Sequence, residues 1–161
     1  MKLYKKKRGN HTLYFAIPFI VILALDQIVK LWVRENIAPH QSLGIPWPGI
    51  FEITLTYNKG VAFGQFQGFG LFFAPIAVIL AGASFYYVYK KPNEKKVNMV
   101  LIALISSGAV GNLIDRVVFQ KVTDMFWFRW INFPVFNIAD IAISVAATMI
   151  ILLSLFEPKQ D

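Results

Sequence analysis

Hydrophobic positions gather in four long runs along this chain, at about 15–33, 69–89, 97–118 and 138–156, with polar connections between them. Each run is close to the roughly 20 residues that a helix needs to cross the hydrocarbon of a bilayer. The pattern predicts four membrane helices. The connection between the first two is too long for a simple turn. Its stretch from about 41 to 66 carries Pro46, Pro48 and Gly49, then Phe51-Glu52-Ile53-Thr54-Leu55-Thr56-Tyr57, where apolar and polar residues alternate. Alternation of that kind marks a half-buried strand, so a small β element is expected on the membrane surface. No internal repeat or low-complexity tract interrupts the pattern.

Composition agrees with the runs. Of 161 residues, 57% are hydrophobic and only 16% charged, with a mean hydropathy of +0.55; soluble domains rarely combine these values. One membrane-embedded domain covering 1–161 is expected, mainly α, a four-helix transmembrane bundle with the β element outside. The N-terminal residues 1–8 are basic, as in a signal peptide. However, the run that follows is long, contains Asp26 and Lys30, and has no small-x-small cleavage site, which favours an uncleaved first helix.

Charge adds orientation. Lys2, Lys5, Lys6, Lys7 and Arg8 precede the first run, and Lys90, Lys91, Lys95 and Lys96 fill the short loop between the second and third. With four alternating spans both groups lie on one side, and the positive-inside rule makes that side cytoplasmic. Both termini then face the cytoplasm, and the connections 34–68 and 119–137 face outward. Trp32, Trp47, Trp127 and Trp130 fall in or beside those outer connections, as an interfacial belt would. The segment 126–130 is a candidate for dipping into the outer leaflet. The formal charge of +7 forms no basic stripe interleaved with aromatics, so no nucleic-acid partner is expected. Absence of cysteine excludes disulfides and thiol chemistry. His11 and His40 fall in no metal-binding spacing, so no metal site is expected.

Polar residues inside the runs carry the candidate chemistry. Asp26 lies about 16 Å along the first helix, and Asp115 about 27 Å along the third, at the usual rise per residue. Asp26, Lys30, Asn112, Asp115, Arg116, Asp124, Asn137 and Asp140 therefore share the outer half of the bilayer or its surface. Asp26 and Lys30 are four apart and share a helix face, as do Asn112 and Arg116. For Asp26, Lys30 and Asp115 the favoured reading is neutralising glue between helices. Gly108, Ala109 and Gly111 suit close helix packing. Asn58-Lys59-Gly60 reads as a turn, with capture of a peptide backbone by Asn58 as the alternative.

Asp124 and Asp140 flank the last polar connection and have no basic partner at helical spacing. Two facing carboxylates share one proton and suit acid–base chemistry. A helix cap or an interfacial carboxylate is the rival reading for each, and spacing alone leaves the two level. A small transporter using these charges as an ion path is a rival for the whole chain. It is disfavoured because the inner halves of the runs lack acids and bases. A non-catalytic lipid-binding scaffold is a second rival and needs neither aspartate.

Taken together, these residues resemble the bacterial lipoprotein signal peptidases, the signal peptidase II family. The resemblance rests on Asp26-Gln27-Ile28-Val29-Lys30, on Asn58-Lys59-Gly60-Val61-Ala62-Phe63-Gly64, on Gly108-Ala109-Val110-Gly111-Asn112-Leu113-Ile114-Asp115-Arg116, on Val122-Thr123-Asp124 and on Phe136-Asn137-Ile138-Ala139-Asp140. Val61 and Met125-Phe126 depart from the usual pattern without removing a functional group. The resemblance implies an aspartyl endopeptidase of the bacterial inner membrane that cleaves diacylglyceryl-modified prolipoproteins before the lipidated cysteine. It implies Asp124 and Asp140 as the catalytic pair, and Asn58, Gly60, Asn112, Arg116 and Asn137 around the substrate. Asp26, Lys30, Gly108 and Asp115 would be structural support. It implies no metal or organic cofactor, a β cradle on the outer surface, a gate near 58–68, contact with membrane lipid, and a monomer.

Overall fold

The computed structural model describes residues 11–60, 74–91 and 94–156. The basic segment 1–8, residues 61–64 of the second motif, the gate at 61–68 and the start of the second run at 69–73 lie outside the described residues. Four helices carry the apolar runs: α1 (His11–Asn36), α2 (Ala74–Lys90), α3 (Lys96–Phe119) and α4 (Ile138–Phe156). Among the described residues α1, α3 and α4 are long and apolar enough to cross a membrane, whereas α2 is described over a shorter apolar stretch. A helix is the natural form for such runs, because lipid offers no partner to a free backbone N–H or C=O.

Helix α3 is the central element, and α1, α2 and α4 all pack against it. Its small residues explain why. A Cβ on Gly108 would stand 2.5 Å from the carbonyl oxygen of Ala139, and one on Gly111 would stand 2.6 Å from Asp26 Oδ2. Gly108 permits a close approach of the α4 backbone, and Gly111 makes room for the Asp26 carboxylate. At the other end of the bundle the packing is apolar. Phe15, Val88, Met99 and Ala103 form a buried cluster with Phe19 and Ile102 against it, and Phe85 meets the Phe15 and Phe19 rings edge-on at 5.3 and 5.4 Å.

The alternating stretch forms a strand, and the proline-containing residues before it form another. Strand β1 (Ser42–Trp47) pairs antiparallel with β2 (Phe51–Asn58). The sheet also has a third strand that the hydrophobic pattern did not announce. Strand β3 (Val122–Phe128) comes from the other connection and pairs antiparallel with β2, placing Thr56 beside Asp124 and Tyr57 beside Thr123. The segment read as dipping into the leaflet is thus partly strand, followed by a single 3-10 turn, Arg129–Ile131. Periodicity missed β3 because its first four residues are all buried; a strand covered on both faces shows no alternation.

One ion pair locks the far corner of this sheet. Glu52 accepts from the Ser42 hydroxyl at 2.5 Å, from the Gly49 N–H at 2.7 Å and from Arg129 Nη1 at 3.0 Å. These donors, led by Ser42, hold its carboxyl down at about 2. The chain then doubles back along β3. Phe136 N–H donates to the Phe126 carbonyl and the Phe136 carbonyl accepts from Met125 and Phe126. That return delivers the start of α4 to the side of Asp124.

Candidate active site

Asn137 stands where the elements meet. It is the residue before α4, and its Oδ1 accepts from the Asp140 N–H at 2.9 Å while Asp140 Oδ2 accepts from the Asn137 N–H at 3.2 Å. This reciprocal pair is a capping box, which satisfies two donors that a helix start leaves open. Helix capping, the rival reading of Asp140, is therefore part of what this side chain does. The Asn137 amide meanwhile donates to Asp124 Oδ1 at 2.7 Å and to Asn112 Oδ1 at 3.1 Å. Asn112 in turn donates to Asp140 Oδ1 at 2.8 Å. One asparagine thus touches both aspartates, and a second steadies Asp140.

Behind this layer lies a buried ionic network. Lys30 is fully buried and reaches Asp26 Oδ2 at 2.9 Å, Asn112 Oδ1 at 3.0 Å and Asp115 Oδ2 at 3.4 Å. A buried ammonium persists only when so paired. The two carboxylates also grip backbone. Asp26 Oδ1 accepts from the Ala139 N–H at 3.0 Å, one residue before Asp140. Asp115 Oδ2 accepts from the Thr123 N–H at 2.8 Å, one residue before Asp124. The residues expected as helix glue thereby hold the backbone next to each aspartate.

The structure brings Asn58, Asn112, Arg116, Asp124 and Asp140 to the wall of one cavity of about 550 Å3. Its other walls are apolar except for Ser144, from Ile76, Ala77 and Leu80 on α2 to Ile141 and Val145 on α4. Asn137 is fully buried behind the wall. Gly60 does not line the cavity; its N–H closes a turn onto Asn58 Oδ1 at 2.8 Å, as the sequence suggested. Gly108 lies in the α3–α4 contact. Arg116 brings a cation to the cavity, and its buried Nε has no hydrogen-bond partner among the described residues. Burial pushes the Asp124 carboxyl up to about 8, with the Asp140 charge adding to the rise and the Asn137 amide opposing it. No group of histidines and carboxylates among the described residues is arranged to hold a metal ion.

Sequence reasoning overlooked Arg34. Its Nη1 donates to Asp115 Oδ1 at 3.3 Å and to the Thr123 hydroxyl at 3.0 Å. The signal was present, since Asp26, Lys30 and Arg34 recur every four residues on one helical stripe.

Apolar spanning helices around a carboxylate-lined cavity define a membrane enzyme, and two solved structures share the fold. Both are bacterial membrane enzymes determined by the in meso method. One, at 2.3 Å, matches with a TM-score of 0.79 and 28% identity over 91% of this chain and 92% of that one. The other, at 1.9 Å, matches with a TM-score of 0.78 and 29% identity over 89% and 93%. The family model described as signal peptidase (SPase) II matches residues 18–156. Lipoprotein signal peptidases of Gloeobacter violaceus and Streptococcus thermophilus are 37% and 36% identical, each over 86% of this chain and over 80% and 91% of their own. The chain belongs to the signal peptidase II family. It is accordingly an aspartic endopeptidase, a hydrolase of prolipoprotein signal peptides.

Proposed function

We propose that Asp124 and Asp140 are the catalytic pair of this peptidase and activate a water molecule held between them. The observation that carries this reading is that both carboxylates line one cavity and are oriented by Asn137. In the reaction, the ionised aspartate takes a proton from water as its oxygen attacks the scissile carbonyl carbon. The protonated aspartate donates a hydrogen bond to the carbonyl oxygen. Collapse of the tetrahedral intermediate breaks the C–N bond, and a proton passes from the pair to the leaving amine. The raised pKa of Asp124 suits it to hold the shared proton at neutral pH, with Asp140 as the base.

The substrate is a diacylglyceryl-modified prolipoprotein, cut before its lipidated cysteine. Asn58, Asn112 and Arg116 hold the peptide backbone, with Arg116 Nε offering a donor to a carbonyl oxygen; Gly60 and Asn137 shape the site around them. Among the described residues α2 and α4 hardly meet, so the acyl chains remain in lipid at the gap between them. Asp26, Lys30, Gly108 and Asp115 keep the pair in register. The molecule is a single domain, a four-helix bundle acting as a monomer in the inner membrane. Its termini are cytoplasmic and the sheet forms a cradle at the outer leaflet.

Cleavage of a purified diacylglyceryl-modified prolipoprotein by wild type, Asp124→Asn and Asp140→Asn tests the pair. Both variants are expected to insert and fold but to lose turnover. Normal cleavage by either would remove that aspartate from the mechanism. Equal turnover of unlipidated precursor would remove the lipid specificity, and loss of activity on adding a chelator would contradict metal-free chemistry.

A further inference from the structure

At the end of the helices remote from the aspartates, α2 finishes close to where α3 begins, and the Glu94 N–H donates to the Lys91 carbonyl at 3.1 Å. The seven residues 90–96 contain four lysines and one acid. All four lysines, Lys90, Lys91, Lys95 and Lys96, are exposed. The acid is occupied internally: Glu94 accepts from the Tyr87 hydroxyl, from Asn98 Nδ2 at 2.9 Å and from the Lys95 N–H at 3.0 Å. Its carboxylate is held by these three donors while the lysines face out.

Two of those lysines are placed by aromatic rings. Lys90 Nζ lies 5.6 Å from the Tyr86 ring centre and 5.9 Å from that of Tyr89, both rings being well exposed. Lys96 Nζ lies 4.8 Å from the ring of Tyr14 on α1. Two helix ends therefore present ammonium groups against tyrosine faces, one of the rings coming from α1. They stand at the end of the helices that carries the buried Phe15, Val88, Met99 and Ala103 cluster.

We propose that this end of α1, α2 and α3 binds the headgroup of an anionic phospholipid. Charge complementarity selects the headgroup. The phosphate lies among Lys90, Lys91 and Lys96, the tyrosine rings sit at headgroup level, and the acyl chains run down the apolar faces of α2 and α3. Lipid is the source rather than a soluble phosphate, because the exposed helix faces directly below the lysines are apolar, with Phe85 and Val97 at their ends. Ordering cost is small, since the aromatic contacts already hold two of the lysines.

The test is native mass spectrometry of the full chain released from mixed micelles. The micelles carry equal phosphatidylglycerol and phosphatidylcholine with matched acyl chains. The wild type is expected to retain phosphatidylglycerol preferentially. A lysine near such a surface contributes roughly fivefold, so Lys90→Gln/Lys91→Gln/Lys96→Gln should lower the preference at least about fivefold. The corresponding arginine variant should keep it, which separates charge from any loss of fold. Sodium phosphate in large excess should leave the lipid bound. Equal retention of the two lipids by the wild type would overturn the proposal. So would a preference that survives the glutamine changes, loss of the preference in the arginine variant, or displacement by sodium phosphate.

Discussion

The two halves of α3 are buried by different means. Near its start, Met99 and Ala103 pack against aromatic rings and aliphatic chains. From Ser106 to Asp115 the buried residues are small or polar, including Gly108, Gly111, Asn112 and Asp115. The first half is held by shape, which depends on total volume and relaxes when one side chain changes. The second half is held by partners, and each lost partner strands a charge or an amide with no water to replace it. A reaction centre needs the second kind of packing, because a hydrogen bond fixes an oxygen's position and an apolar contact does not.

This contrast orders the expected effects of substitution. Asp124→Asn and Asp140→Asn stand first, with turnover of lipidated precursor lowered by about 10^2 to 10^4-fold, the usual worth of a positioned acid or base. Next, Lys30→Met leaves Asp26 without a cation and Asp115 with Arg34 alone. It should cost about 3–5 kcal/mol, read as a fall in Tm in detergent. Changing Asp26→Asn and Asp115→Asn in the same chain should recover most of that, because asparagine still accepts from Ala139 and Thr123. No recovery would mean that the network holds the fold by something other than charge balance.

The third effect depends on pH. Asp124 keeps its proton to about 8 in the folded protein, against 3.8 ordinarily. Between those values unfolding releases a proton, so stability falls as pH rises through the window and levels off above it. Asp124→Asn has no such proton to lose. It should be more stable than wild type at pH 9 by about 2–4 kcal/mol and nearly equal at pH 4. Thermal melts at the two pH values check this, and parallel curves for the two proteins would refute it. Turnover of the wild type should decline above pH 8, as Asp124 loses the shared proton.

Two glycines give the smallest effects and the sharpest contrast. Gly108→Ala drives a methyl into the Ala139 carbonyl oxygen and Ile143 and should cost about 1–3 kcal/mol. Gly82→Ala on α2 meets nothing within 4 Å and should stabilise by up to about 1 kcal/mol. If both glycines tolerate alanine equally, the close α3–α4 approach is not what holds the start of α4 in place.

Much of this was legible in the linear chain. Length and hydropathy marked α4 with the bounds found and α3 within one residue at each end, because lipid leaves an apolar run of that length one way to satisfy its backbone. The i, i+4 spacing paired Asp26 with Lys30. The alternation at 51–57 marked β2, whose two faces meet different surroundings. Strand β3 was illegible because burial on both sides erases alternation. The pairing of Lys30 with Asp115, 85 positions away, was also out of reach, since no local period links residues on separate helices.

What the sequence determined by itself was which segments are apolar enough for the membrane and which polar residues lie at similar depth. Both follow from composition and from a fixed rise per residue. The tertiary structure decided which of those residues touch. It made Asn137 the link between Asp124 and Asp140 and used Asp26 and Asp115 to hold the backbone beside each. Such contacts depend on a few tenths of an ångström between different elements, which only the packing of Gly108 and Gly111 against their neighbours can set.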